Sequence, residues 1–202
     1  MASLFLFSCG IPTIITLNNI NISQIKKSDN TVEMLVRGTD TDLEKVSAYC
    51  PGLLLCYVES DSDYLFNQDK IISAFSKTVS NNNKIYINDN NEILTTEEDK
   101  YILYAFQKDT QGTRVSTPSY SLNLHPFMSG LTMNADLTLE YVSGQEFKIK
   151  NNSLYIRTED RTQTNNNYIH VFAAFSAEQG DFTNTYWSTL VYLGCIELTN
   201  TK

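Results

Sequence analysis

Apolar and polar residues alternate along much of this chain with a period of two, the spacing of side chains on a half-buried β-strand. Segments 11–22, 32–36, 53–58, 84–87, 101–107 and 119–124 are rich in β-branched and aromatic residues. Polar turn material divides them, as at Asn81-Asn82-Asn83, Asn88-Asp89-Asn90-Asn91 and residues 109–112. From Leu131 onward the pattern continues as a meander. Segment 137–142 turns at Ser143-Gly144 into 146–150, and Asn151-Asn152 leads into 154–158; strands over 168–175 and 186–198 complete it. Helical periodicity is confined to residues 69–79, where Ile71, Ile72, Phe75 and Val79 fit either a short helix or an irregular strand.

Short strands joined by polar turns predict an all-β fold, an antiparallel β-sandwich. One stretch narrows the expectation. Tyr101-Ile102-Leu103-Tyr104-Ala105-Phe106-Gln107 is followed by Asp109, Gly112 and Ser116-Thr117-Pro118-Ser119. This resembles the F strand, FG loop and G strand of a fibronectin type III domain. The resemblance implies that Tyr101 is the tyrosine-corner residue and that Leu103, Ala105 and Gln107 share one face. It also implies that Gly112 makes the tight FG turn and that 53–58 is the C strand. Segment 32–36 has no counterpart of the family's B-strand tryptophan. Tyr168, His170, Phe172 and Ala174 repeat the same alternation more weakly. Two tandem modules are therefore expected: a fibronectin type III-like sandwich over 11–125 and a smaller β module over 126–202. They part at His125-Pro126, because proline stops a strand ladder. The alternative is one large sandwich whose final strand, 187–198, pairs near the N-terminus.

The first ten residues do not alternate. Leu4-Phe5-Leu6-Phe7-Ser8-Cys9 resembles the end of a bacterial lipoprotein signal peptide of the looser spirochaete type. Leu6 stands three positions before the cleaved bond, the small Ser8 just before it, and Cys9 just after it. The resemblance implies that the Cys9 thiol takes a diacylglycerol and that residues 1–10 are a signal remnant and tether. The chain would then be lipid-anchored in a bacterial cell envelope, at the outer membrane or the cell surface. No apolar segment approaches the roughly 18–20 residues that span a bilayer, so attachment would rest on the lipid. The alternative is an N-terminal strand over 4–7 with a buried Cys9.

Composition removes several classes of function. Fifteen Lys and Arg against 23 Asp and Glu give a net charge of −8, with no basic stripe to neutralise phosphates, so no nucleic-acid partner is expected. The cysteines are Cys9, Cys50, Cys56 and Cys195, without the spacing of a zinc site. Cys50 and Cys56 either close a small disulfide or stay separate buried thiols. Of the two histidines, His125 lies at the expected junction, and His170 shares a strand face with Tyr168 and Phe172, the setting of a core histidine. No nucleophile elbow, zinc-protease helix motif or phosphate loop occurs, so no catalytic residue, metal or cofactor is expected.

Asp40 with Asp42, and Glu59 with Asp61 and Asp63, place carboxylates at alternate positions. Calcium could use such oxygens, but the glycine and terminal glutamate of an EF-hand are missing, and solvated turns are the expectation. Aromatic residues remain. Tyr64 and Phe66 beside the acidic run, and Trp187, the single tryptophan, are the candidate binding residues for a protein or glycan ligand. The sequence reads as a non-catalytic cell-envelope lipoprotein that binds or acts as a spacer. The alternative is a hydrolase or carbohydrate-active accessory domain, which needs a carboxylate pair and aromatics in one groove.

Overall fold

The computed structural model describes residues 20–39, 49–82, 86–87, 92–94, 103–108, 121–130, 132–156, 167–179 and 185–198. In chain order these form β1 (Ile20–Ser28), β2 (Thr31–Thr39), β3 (Tyr49–Ser60), α1 (Gln68–Asn82), β4 (Tyr86–Ile87), β5 (Glu92–Leu94), β6 (Leu103–Ala105) and β7 (Gln107–Lys108). Then follow β8 (Ser121–Asn123), β9 (Met128–Ser129), β10 (Thr132–Ser143), β11 (Glu146–Ile149), β12 (Asn152–Tyr155), β13 (Tyr168–Gln179), β14 (Thr185–Trp187) and β15 (Val191–Glu197). They build two antiparallel sheets. The first runs β1-β2-β10-β11-β12-β7 with β9 on β10; the second runs β14-β13-β3-β6-β5-β4 with β15 on β13 and β8 on β3. The fold is an all-β sandwich.

The two sheets differ in sequence because they differ in what covers them. Along β10, Met133, Ala135, Leu137, Leu139 and Tyr141 are buried, while Thr132, Asn134, Asp136, Thr138 and Glu140 face solvent. That sheet has one wet face, hence the strict alternation. β3 and β13 instead carry unbroken apolar runs, since both faces of their sheet are covered. Leu53, Leu55, Tyr57, Ile169, Val171, Ala173 and Phe175 join the core between the sheets. Leu54, Cys56, Phe172 and Ala174 join a second core on the opposite face, closed by Ile71 and Phe75 of α1. The molecule therefore has three layers, sheet, sheet and helix.

Residues 69–79, open between helix and strand from sequence, lie within α1. The carbonyl of Asn67 accepts from the amides of Lys70 and Ile71, both at 3.1 Å, which starts the first turn, and Asp69 sits favourably at the positive end of the helix dipole. Ile71, Ala74, Phe75 and Thr78 are buried, one face of a 3.6-residue period. The Thr78 hydroxyl is satisfied within the helix by the Ala74 carbonyl at 3.0 Å.

The tandem division at His125-Pro126 does not describe these sheets. β2 pairs with β10 from Thr31 to Thr39, and β3 pairs with β13 over its whole length, so strands from either side of residue 125 make up both sheets. The fibronectin-like order is also departed from. β6 pairs with β3, as an F strand would with C, but β8 lies against Gly52–Leu54 of β3 rather than beside β6. At Phe106 the chain leaves the second sheet and enters the first as β7, so the expected F strand is split between layers. Tyr101, Asp109 and Gly112 lie outside the described residues, as do Cys9, Asp40 and Asp42.

One flank of the sandwich is closed by the β1–β2 turn. The Asp29 carbonyl accepts from Glu197 of β15 at 3.1 Å, and the Asn30 carbonyl accepts from Tyr141 of β10 at 2.8 Å. Side chains of β1 lie over β15, so that a Cβ on Gly194 would stand 3.0 Å from the side-chain Nε2 of Gln24, and its φ of +126° also favours glycine.

Cys50 and Cys56 lie six positions apart on β3, about 20 Å at roughly 3.3 Å per residue, far beyond disulfide reach. Cys56 is a free thiol, buried under α1, and burial pushes its pKa well above the usual thiol range. Iodoacetamide at pH 8 is therefore expected to leave the Cys56 peptide unmodified in the native protein and to label it on denaturation. Mass mapping of the peptides checks this; fast native labelling at Cys56 would show that the helix does not seal the sheet.

Candidate functional site

The loop from β3 to α1, residues 61–67, is built by short-range hydrogen bonds. The Ser62 amide donates to the Ser60 hydroxyl oxygen at 3.0 Å, and the Tyr64 amide donates to that of Ser62 at 3.1 Å. Serine side chains turn the backbone in this way. Leu65 packs on the core beneath α1. Its neighbours then point outward: Tyr64 is 62% and Phe66 84% exposed. Their rings meet edge to face with centroids 4.6 Å apart, a geometry that suits aromatic quadrupoles. Asp61, Asp63, Asp69 and Lys70 are exposed around them.

A long-range contact holds the loop from below. His170 of β13 is fully buried, with Nε2 2.9 Å from the Ser62 carbonyl and Nδ1 2.9 Å from the Tyr192 hydroxyl. A carbonyl can only accept, so Nε2 carries the proton and donates; Nδ1 of the neutral ring then accepts from Tyr192. Burial is the main cause that lowers the His170 pKa, with Lys27 acting in the same direction and the Ser62 bond and Asp63 opposing. Burial likewise pushes the Tyr192 hydroxyl up to about 12, so it stays a donor. With both nitrogens engaged, this histidine is a structural strut.

The structure brings Tyr64 and Phe66 together, and it packs Trp187 against α1. Trp187 is half-buried and lies edge to face on Phe75 of α1 at 6.3 Å; its Nε1 is buried without a partner among the described residues. Tyr57 and Tyr104 stack at 5.6 Å in the core between the sheets. The support of the loop was missed because Ser62 and His170 are 108 positions apart and no local pattern joins them.

Among the described residues no group of three or more His, Cys, Asp or Glu is placed to hold a metal ion, and no helix is long and apolar enough to cross a membrane. Comparison of the chain with protein-family models, curated proteins and solved structures gives no match.

Proposed function

We propose that this chain is a non-catalytic binding module of a bacterial cell envelope, tethered to the outer membrane or cell surface through a lipid on Cys9, and that it meets its ligand with Tyr64 and Phe66. One observation carries the binding reading over the spacer reading. Two large aromatic rings are left in water at 62% and 84% exposure on a loop whose backbone is already fixed by hydrogen bonds. Exposed apolar surface marks contact sites, and a pre-ordered loop loses little entropy when it binds.

The anchor is tested by the intact mass of protein extracted from native membranes, which should show acylation at Cys9; an unmodified Cys9 in that fraction rejects it. The contact surface is tested with photo-crosslinkers placed at Phe66 and, as control, at Asp136 on the wet face of β10. Crosslinks to one species from position 66 and none from 136 are expected. Tyr64→Ala and Phe66→Ala should each weaken that interaction by more than about 1 kcal/mol while leaving stability within about 0.5 kcal/mol. Full binding by the double variant rejects the aromatic loop as the contact.

A further inference from the structure

We propose that His170 is the positioning residue of the aromatic loop and that proton uptake by its imidazole releases the loop, which makes presentation of Tyr64 and Phe66 sensitive to acid. The proposal deepens the binding reading by naming what regulates the same surface, but its test needs no ligand.

The geometry leaves His170 no free nitrogen. Nε2–H donates to the Ser62 carbonyl and Nδ1 accepts from Tyr192, so a second proton has to enter at Nδ1. It displaces the Tyr192 donation, leaves that hydroxyl proton to find another acceptor, and places a cation in a fully buried site. Among the described residues, the groups around the ring come from five elements. Val58 of β3 and Cys195 of β15 are its cross-strand partners, and Tyr168 and Phe172 flank it on β13. Tyr192 of β15 stacks on it at 6.0 Å. Of the charged groups, Asp63 of the loop favours the imidazolium and Lys27 of β1 disfavours it, and burial outweighs both. Glu197 lies two cross-strand pairs further along, opposite Tyr168.

The connection to the surface is short. Ser62 both receives the histidine's bond and, through its hydroxyl oxygen, holds the Tyr64 amide. When the loop lifts, His170 meets water and titrates near its ordinary value of about 6.5. The closed state binds the proton more weakly than the open one, so the closed state is fully favoured above about pH 6.5 and loses ground as pH falls below it.

Amide hydrogen exchange of residues 61–67 in the full chain, corrected for the intrinsic pH dependence of exchange, reads the opening equilibrium. It should rise between pH 7.5 and 5.5 in the wild type, by at most about tenfold, the limit set by the open state's own titration. In His170→Gln, whose side-chain amide can still donate to Ser62 but does not titrate, the opening should be independent of pH. Wild-type opening that ignores pH, or an unchanged pH response in His170→Gln, overturns the proposal. Should that variant fail to fold, the ring proton shifts of His170 in the wild type decide: a midpoint clearly below 6.5 supports the latch, and one at or above 6.5 overturns it. An acid-sensitive loop together with undiminished binding by the Tyr64→Ala/Phe66→Ala variant would leave the latch standing and remove the binding role. Loss of binding with a pH-insensitive loop would do the reverse.

Discussion

Phe106→Ala is expected to destabilise the fold by about 3–5 kcal/mol, a large part of the roughly 5–15 kcal/mol that holds a domain together. Phe106 is fully buried where the chain passes from β6 in one sheet to β7 in the other. Its ring packs on Tyr57 of β3 at 4.9 Å and on Phe147 of β11 at 5.2 Å. Tyr104 and Tyr141 extend this aromatic run, at 5.6 Å from Tyr57 and 5.1 Å from Phe147. Removing the ring leaves a void between both layers, and neighbours tied into sheet ladders can fill little of it. The Phe106 amide also donates to the Leu55 carbonyl at 3.1 Å, so the backbone at the crossing is fixed and does not follow the smaller side chain inward. Equilibrium urea unfolding measures the effect, with the midpoint falling and the slope unchanged. A loss below about 1 kcal/mol would show that the crossing is not the centre of the core.

Phe75→Ala should loosen the helical layer and cost about 3 kcal/mol. Phe75 is the largest side chain that α1 buries in the core on the outer face of the second sheet, and it lies edge to face on Trp187. Since Trp187 is the single tryptophan, its emission reports this layer alone. The expected result is a red shift of native fluorescence together with the loss of stability, as the half-buried indole gains water. Lys70→Ala, on the exposed side of the same helix, should change neither by more than about 0.5 kcal/mol or a marginal shift. Equal effects of the two substitutions would mean that α1 is not packed through Phe75.

What could be read from the sequence follows from how local each signal is. The alternation in 137–142 and the Ser143-Gly144 turn give β10, its hairpin and β11, because neighbouring strands record their pairing in adjacent residues; Gly144 takes a φ of +63° as such a turn requires. The continuous apolar runs of β3 and β13 were read as strands, but nothing in them says that one face meets a helix. Ala174 and Cys56 look the same in either core. The tandem division failed for a related reason. It rested on His125-Pro126 and on a strand pattern common to many sandwiches, whereas the partner of β3 lies beyond that boundary. The strand expected over 11–22 ends before β1 does, since Gln24 to Ser28 is polar; an edge strand with one flank in water tolerates that. At the candidate site, Tyr64 and Phe66 were legible as polar-loop aromatics. The half-burial of Trp187 and the strut beneath Ser62 were not, because both depend on which distant element lies against them.

The interleaving of the two halves has a consequence for how the chain is made. Arg37 and Asp136, whose side chains meet across β2 and β10, are 99 positions apart, and Cys56 reaches the carbonyl of Phe172 across 116. Closing such long loops comes before any contact rewards it, so folding of this kind is slow, on the order of milliseconds to seconds. Of the early strands, β1 and β2 have each other as a local hairpin, while β3 has no long neighbour until β13 has been synthesised. An emerging N-terminal half can therefore complete neither sheet on its own, and the sandwich closes only once β10 and β13 have been synthesised.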